Sequence, residues 1–318
     1  EGENYLMRTY AAYIKDSDLL YHSSSGGMFL AASMAILSQG GYIVASEYEV
    51  DTQSVQYQVY SKFEDVKKAS GSKYIQSDSS NMIQSVLNIV KQDKNVLVVG
   101  TPCQIAAIKK TILFYNISDE KVFYIDLLCH GVPSPGFWKR YIHYLEKKYN
   151  GKVERVDFKD KRNGWIYPFA YVRINNQDID IRKYDSLYYK DLISRPCCYE
   201  CRFSSLNRTG DLSIGDLWGA ERIVPDFYQK NGVSVVLVNT KKGESLFKMM
   251  DSYIMKVEIK TDDAMQQCLK FPVKKPSNRD KFWTEINRNF EKTFYKYTKI
   301  GIVKKGVNKI RRILHLQK

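Results

Sequence analysis

Hydrophobic residues follow two different patterns along the chain, and the pattern changes near residue 150. In the first half, short apolar runs alternate with stretches that have the apolar spacing of a helix. Strands that alternate with helices are typical of a parallel sheet. The pattern predicts helices at residues 25–39, 63–69, 81–91, 104–113 and 136–149, and strands at residues 42–46, 55–60, 95–99 and 122–128.

Beyond residue 151, the pattern changes to an alternation of apolar and polar residues, as at residues 153–158 and 170–174. Such alternation predicts antiparallel strands with one exposed face. We also predict a helix at residues 186–193, a strand at 233–239 and a helix at 242–250. The whole pattern predicts an α/β fold. It has a mixed sheet with flanking helices, an antiparallel part with α+β elements, and a basic helical C-terminal tail.

The charge of the chain is concentrated at its C-terminal end. The 318 residues have a formal net charge of +14, but residues 271–318 alone hold 14 lysines and arginines against 3 acids. A nearly neutral body argues against an enzyme that acts on nucleic acid, so we expect no nucleic-acid partner. Because the tail also carries apolar residues such as Phe290 and Ile310, it could lie on an anionic membrane surface or bind a partner.

Composition places the protein among globular chains, since 44% of its residues are hydrophobic. No run approaches the ~18 uncharged apolar residues of a membrane-spanning helix. The N-terminus lacks the basic and apolar pattern of a secretory signal. We therefore predict a cytoplasmic protein, and because the first residue is Glu1 rather than Met, an upstream segment is possible.

Cysteines are the strongest chemical signal, and three of the six lie within five residues. Clustered thiols in a reducing cytosol bind metal or do redox chemistry more often than they form disulfides. Cys198 and Cys201 form a Cys-x-x-Cys pair, while Cys103 and Cys129 directly follow predicted strands. Open α/β sheets bind ligands at those strand ends. Spacing alone leaves zinc and an iron-sulfur cluster as open alternatives.

Six ordered segments resemble the beta-subunit family of coenzyme F420 (deazaflavin) hydrogenases and dehydrogenases, in the type linked to bacterial surface-polysaccharide pathways. They are Ser23–Phe29, Gly71–Ser77, Gly100–Ala106, Cys129–Pro135, Arg195–Cys201 and Gly215–Gly219. The resemblance covers roughly residues 5–250. It implies an N-terminal α/β unit at residues 1–80, a flavin and cluster domain at 81–250, and a separate basic tail at 251–318.

The resemblance also implies two cofactors, FAD and a 4Fe-4S cluster. Carried over by position, the implied cluster ligands are Cys103, Cys129, Cys198 and Cys201. This chain departs from the family at Cys197, where the family usually has Ser or Ala, so the role of Cys197 stays open. Cys268 is expected to be an ordinary packed or surface thiol.

For the flavin, glycines allow a close backbone approach and a helix N-terminus offers free N–H groups to a pyrophosphate. The candidate residues are Ser24, Ser25, Gly26, Gly27, Lys73, Gln76, Ser77, Thr101, Pro102 and Gln104. The alternative for the Ser-Gly segment is a plain helix cap with tight packing. The alternative for Lys73 is a solvated side chain on a turn.

Three further features have two interpretations each. His130 could donate a proton to flavin, although a packing role is favoured for a histidine at a strand end. Residues 160–165 fit a substrate loop or a simple turn. Asp216 and Trp218 could face the flavin or only brace the cluster loop.

The predicted function is an oxidoreductase in which electrons pass from a ferredoxin-like donor through cluster and FAD to a small organic acceptor. The acceptor is deazaflavin coenzyme or a substrate of a polysaccharide pathway. Relatives carry a ferredoxin module before the first segment, so here we expect that module upstream or on a separate protein. The alternative function is a zinc-stabilised, non-catalytic binding or assembly module.

Overall fold

The structure is a computed structural model, and it describes residues 6–298. It contains one large and one small β-sheet. The strands are β1 (Arg8–Ile14), β2 (Tyr42–Glu49), β3 (Ser54–Tyr60), β4 (Ser77–Asp78), β5 (Val96–Gly100), β6 (Val122–Leu127), β7 (Val153–Asp160), β8 (Phe169–Ile174), β9 (Gln177–Asp180), β10 (Leu212–Asp216), β11 (Ser234–Val238) and β12 (Ile254–Ile259).

Helices cover both faces of the large sheet or pack beside the small one. They are α1 (Ser17–Tyr21), α2 (Met28–Leu37), α3 (Phe63–Val66), α4 (Ser80–Val90), α5 (Pro102–Phe114), α6 (Pro135–Tyr149), α7 (Arg182–Tyr189), α8 (Ala220–Ile223), α9 (Lys241–Met249), α10 (Arg279–Arg288) and α11 (Phe290–Thr298). Within residues 6–298, no helix is both long and apolar enough to span a bilayer.

The large sheet has nine strands in the order β12-β1-β11-β10-β6-β5-β2-β3-β4. Its central strands β10, β6, β5 and β2 are parallel, whereas β11, β1 and β12 extend it in antiparallel fashion. All five residues of β5 are buried, as expected for a strand covered on both faces. The predicted α/β fold with a mixed sheet and flanking helices is confirmed.

The small sheet is the predicted antiparallel part. Its three strands lie in the order β7-β8-β9 and are all antiparallel. One face of this sheet packs with α6, α7, α10 and α11 in a core rich in aromatic side chains. The alternation of apolar and polar residues after residue 151 therefore corresponds to antiparallel strands, as predicted.

Two helices begin three or more residues away from the predicted start. Helix α2 starts at Met28 rather than at residue 25, because Gly27 has a left-handed φ of 80°. Helix α7 starts at Arg182 rather than at residue 186, because β9 ends at Asp180 and the Asp180 carboxylate accepts the backbone N–H of Arg182 at 2.8 Å.

Five strands were not predicted, namely β1, β4, β9, β10 and β12. Strand β12 lies within the predicted tail, but it pairs with β1 as the edge of the large sheet. Helices α10 and α11 agree with a helical end of the chain, and the remainder of the predicted basic tail lies outside the described residues. The division at residues 80 and 250 stays a prediction.

Candidate functional site

A cavity of about 2080 Å³ opens at the carboxyl ends of β5, β6 and β10. Typical small-molecule sites measure about 300–1,000 Å³, so this cavity has room for a large ligand. Every one of the six segments singled out in the sequence contributes to its wall. The contributing residues include Ser24, Gly27, Ser72, Lys73, Gln76, Ser77, Thr101, Cys103, Gln104, Cys129, Cys198, Asp216 and Trp218.

Three of the four predicted ligands, Cys103, Cys129 and Cys198, line this cavity. The backbone N–H of Gly131 donates to Cys129 Sγ at 3.4 Å. A Cβ atom on Gly131 would lie 3.6 Å from Cys198 Sγ, so Cys129 and Cys198 flank the same glycine. Burial, together with the nearby thiols of Cys103 and Cys198, raises the pKa of Cys129 to about 12.

The fourth predicted ligand, Cys201, lies near Cys198. Burial raises the pKa of Cys198 to about 11, and the nearby Cys197 and Cys201 thiols add to the shift. Cys103 and Cys197 are exposed, whereas Cys129, Cys198 and Cys201 are half-buried. The structure thus brings all four predicted ligands together, with Cys197 beside them, and their role as ligands stays a prediction.

Four cysteine thiols are the donor set of an iron-sulfur cluster and also of a structural zinc site. Among residues 6–298, no three His, Cys, Asp or Glu side chains lie together as one metal ion requires. Thiolates around zinc are all about 2.3 Å from one centre. The ligands of a 4Fe-4S cluster bind different irons and stand further apart. Near these cysteines, Ser194 is fully buried, and its Oγ atom has no hydrogen-bond partner within the described part of the chain.

Residues 101–104 form the start of α5 and present Cys103 to the cavity. The Gln104 amide oxygen accepts the backbone N–H of Thr101 at 3.0 Å and the Tyr57 hydroxyl at 3.0 Å. Its amide nitrogen donates to Ser77 Oγ at 2.8 Å. Pro102 is buried at the first helical position. These side chains fix the start of the helix, so their predicted flavin contact would come in addition to a structural role.

The Ser-Gly segment before α2 is tied to its neighbours from both sides. Ser24 Oγ accepts the backbone N–H of Ser72 at 2.6 Å. Ser25 Oγ donates to the Val233 carbonyl at 3.1 Å. A Cβ atom on Gly26 would lie 2.4 Å from a backbone oxygen of β1. The close approach at Gly26 is therefore to β1, and only Ser24, Ser25 and Gly27 of the predicted set line the cavity here.

Lys73 lines the cavity, but its ammonium group already donates hydrogen bonds to three backbone carbonyls. Its ammonium donates to the carbonyls of Ala69, Ser70 at 3.3 Å and Gly71 at 2.9 Å. Burial lowers the pKa of Lys73 to about 8. Lys73 is thus more than the solvated side chain of the alternative interpretation, and it holds the turn that precedes Gln76.

Comparison with known proteins gives one family match. The family described as the C terminus of the coenzyme F420 hydrogenase/dehydrogenase beta subunit matches residues 93–263. The chain belongs to this family. The match contains the four cysteines and Asp216, whereas the Ser-Gly segment and Lys73 lie outside it.

A solved structure has a fold similar to that of this chain. A chain of the F420-reducing [NiFe] hydrogenase complex from Methanosarcina barkeri is similar, with a TM-score of 0.56 and 19% identity. The similarity covers 80% of this chain and 82% of that chain. No curated protein sequence matches the chain.

Asp216 in the family segment Gly215–Gly219 is held by side chains that sequence reasoning did not connect to it. It accepts from Lys159 Nζ at 2.7 Å and from Trp165 Nε1 at 3.1 Å. Trp165 in turn stacks on Trp218, with ring centroids 5.7 Å apart and an interplanar angle of 3°. Residues 159–165 thus form a turn that braces this segment, and Trp218 faces the cavity.

A second network, which the sequence did not reveal, holds the loop after Cys201. Asp126 and the Arg208 side chain are almost completely buried and form an ion pair at 2.5 Å. Asp126 also accepts the backbone N–H groups of Thr209 at 3.0 Å and Gly210 at 2.7 Å. Arg208 donates to the Phe203 carbonyl at 3.2 Å. This pair fastens the Cys201 side of the candidate cluster site to the end of β6.

Two residues with open roles have defined surroundings. Burial lowers the pKa of His130, which favours the neutral imidazole, and its role stays a prediction. Cys268 is 4% exposed within an apolar cluster, which agrees with the expected packed thiol. Cys197 lines the cavity, and its role stays open.

Gly131→Ala is expected to lower iron binding. Gly131 has a φ of 105°, and a Cβ atom there would lie 3.3 Å from the Cβ atom of Cys198. Backbone strain of this kind costs about 1–3 kcal/mol and would displace the cysteine loop. We expect iron per chain after anaerobic reconstitution to fall by about half or more. Gly136→Ala is the control, since its Cβ atom would lie 3.7 Å from the nearest atom, and equal iron content in both variants would contradict the prediction.

Proposed function

We propose that this chain is an iron-sulfur flavoprotein oxidoreductase that binds FAD and one 4Fe-4S cluster. The observation that carries the proposal is that Cys103, Cys129 and Cys198 line a cavity that the Ser-Gly segment also lines, with Cys201 near Cys198. When bound, the two groups would supply one-electron and two-electron chemistry. The overall reaction would take two electrons, one at a time, from a ferredoxin-like donor and deliver them with a proton to an organic acceptor.

The residues of the chain would have distinct tasks in this function. Cys103, Cys129, Cys198 and Cys201 would hold the cluster, and the Gly131 N–H would donate to the Cys129 sulfur. Backbone N–H groups at the start of α2 would face the pyrophosphate, since Gly27, Met28 and Phe29 line the cavity. Trp218, stacked on Trp165, would exclude water from one wall.

The acceptor and the partners belong to this proposal as well. The similar complex from Methanosarcina barkeri is F420-reducing, which supports a deazaflavin coenzyme as one candidate acceptor. A substrate of a surface-polysaccharide pathway is the other candidate. We further propose a cytoplasmic location, where a reducing environment keeps the cysteines available for iron.

Metal and flavin analysis after anaerobic purification tests the proposal. We expect about four irons per chain, acid-labile sulfide and one bound flavin, because four thiolates can each bind one iron of a cluster. The measurements are elemental analysis and the visible spectrum. One zinc per chain without flavin would contradict the proposal and favour the non-catalytic zinc module.

A further inference from the structure

Lys161 is a buried lysine at the back of the Ser-Gly segment. It is 5% exposed and lies in the turn between β7 and β8. Its ammonium donates to the carbonyls of Leu20 at 2.7 Å, Ser25 at 2.9 Å and Asn231. One side chain of the small sheet therefore fixes the backbone of the segment that precedes α2.

The charge of Lys161 has no acidic partner in contact. Within residues 6–298 it forms no ion pair, and the carboxylate of Asp216 is paired with Lys159 at 2.7 Å. Three carbonyl acceptors favour the ammonium form, because a neutral amine has only two N–H donors. Burial acts in the opposite direction and lowers the pKa of Lys161 to about 7, with repulsion from Lys159 adding to this. A bound anion close to Lys161 would offset the cost of burying its charge.

An anion can approach from the cavity side of the same segment. Helix α2 has ten residues, and its N-cap residue Gly27 provides no side-chain cap. The first N–H groups of a helix lack partners within the helix and carry a partial positive charge. Met28 and Phe29 line the cavity at this point, while Ser25 is held from behind by Lys161. The positive charge of Lys161 and the helix N-terminus thus act on the same part of the cavity.

We propose that Lys161 is a positioning residue whose buried charge, placed behind the Ser-Gly segment, favours binding of the phosphate groups of a flavin nucleotide at the start of α2. The inference rests on the proposed flavin site and adds a residue outside the six family segments. It assigns Lys161 to recognition of the phosphates and not of the isoalloxazine ring.

Two neutral variants and one charged variant test this role by flavin affinity. Lys161→Gln keeps N–H donors but removes the charge, Lys161→Met removes both, and Lys161→Arg keeps the charge. We expect FAD to bind about tenfold more weakly to the neutral variants, because one charge near a helix terminus is lost. Riboflavin, which has no phosphate, should bind with unchanged affinity. Lys161→Arg should recover most of the affinity for FAD.

The measurement is fluorescence titration of the full-length, flavin-free protein with FAD and with riboflavin, alongside the iron content and the melting temperature. Lys15→Gln is the control, since the Lys15 ammonium also donates to two carbonyls, those of Asp251 at 3.1 Å and Ser252 at 3.0 Å, but Lys15 is exposed and neither carbonyl belongs to the Ser-Gly segment. We expect this control to bind FAD like the unmodified chain.

The outcomes separate this inference from the proposed function. If the unmodified chain binds FAD and Lys161→Gln binds it equally well, only the inference is overturned. Equal losses for FAD and riboflavin would make Lys161 a purely structural residue and also overturn it, as would a failure of both neutral variants to fold while Lys161→Arg folds and binds. If the unmodified chain binds no flavin, both the inference and the proposed flavin site fail.

Discussion

Replacing Cys198 or Cys201 by serine is expected to abolish the cluster. Cluster irons require thiolate ligands, and a serine hydroxyl does not replace one at neutral pH. Iron per chain should fall from about four to near zero, and the broad visible absorption of the cluster should disappear. Elemental analysis and visible spectroscopy of anaerobically reconstituted protein provide the measurement.

Cys268→Ser is the matched control for these variants. Cys268 is buried in an apolar cluster and does not line the cavity, so its replacement should leave iron content and spectrum unchanged. If both the Cys198 and the Cys201 variants kept their iron, the ligand assignment would be wrong. Loss of iron in Cys197→Ser, with retention in Cys198→Ser, would assign the ligand role to Cys197.

Asp126→Asn should destabilise the protein strongly. It leaves Arg208 charged and buried without its carboxylate, and loss of one partner of a buried pair costs about 3–5 kcal/mol. The free energy of unfolding in urea, measured without cofactors, should fall by this amount. Because Arg208 also holds the Phe203 carbonyl, the loop after Cys201 should become more accessible to protease.

An exposed pair provides the contrast. Arg182 and Asp180 are 58% and 41% exposed, so Asp180→Asn should change the free energy of unfolding by less than about 1 kcal/mol. A double replacement of Asp126 and Arg208 by apolar residues should recover part of the lost stability, because no unpaired charge remains. Equal effects of Asp126→Asn and Asp180→Asn would show that the buried pair does not hold this loop.

The parallel centre of the sheet could be predicted because its strands carry a local signal. Strand β5 is a short, continuous apolar run, and a Thr-Pro step marks the start of α5 directly after it. The positions of Cys103 and Cys129 at strand ends followed from this pattern alone. Strand β1 gave no comparable signal, since its partners β11 and β12 lie more than 200 residues away in sequence.

The contacts that support the site could not be predicted from the sequence, for a different reason. Asp126 and Arg208 are 82 positions apart, and nothing in the chain marks either residue as the partner of the other. Lys161 lies in a charged stretch that is typical of an exposed turn, yet the fold surrounds it with carbonyls from helix α1 and from the loop before β11. Cysteine and glycine motifs thus identify the cavity wall, whereas the residues behind it become visible only after the chain is folded.

The position of β1 between β11 and β12 also determines the order in which the protein can assemble. During synthesis, Arg8–Ile14 leaves the ribosome long before Ser234–Val238 and Ile254–Ile259 exist. Pairing at such a separation is slow, because a long chain must close before the contact forms. The Gly26 N–H is held by Ser234, and Ser25 by Val233, so the segment before α2 reaches its final place only when the body is nearly complete. Loading of the proposed flavin at this segment would therefore be a late event that follows translation of most of the chain.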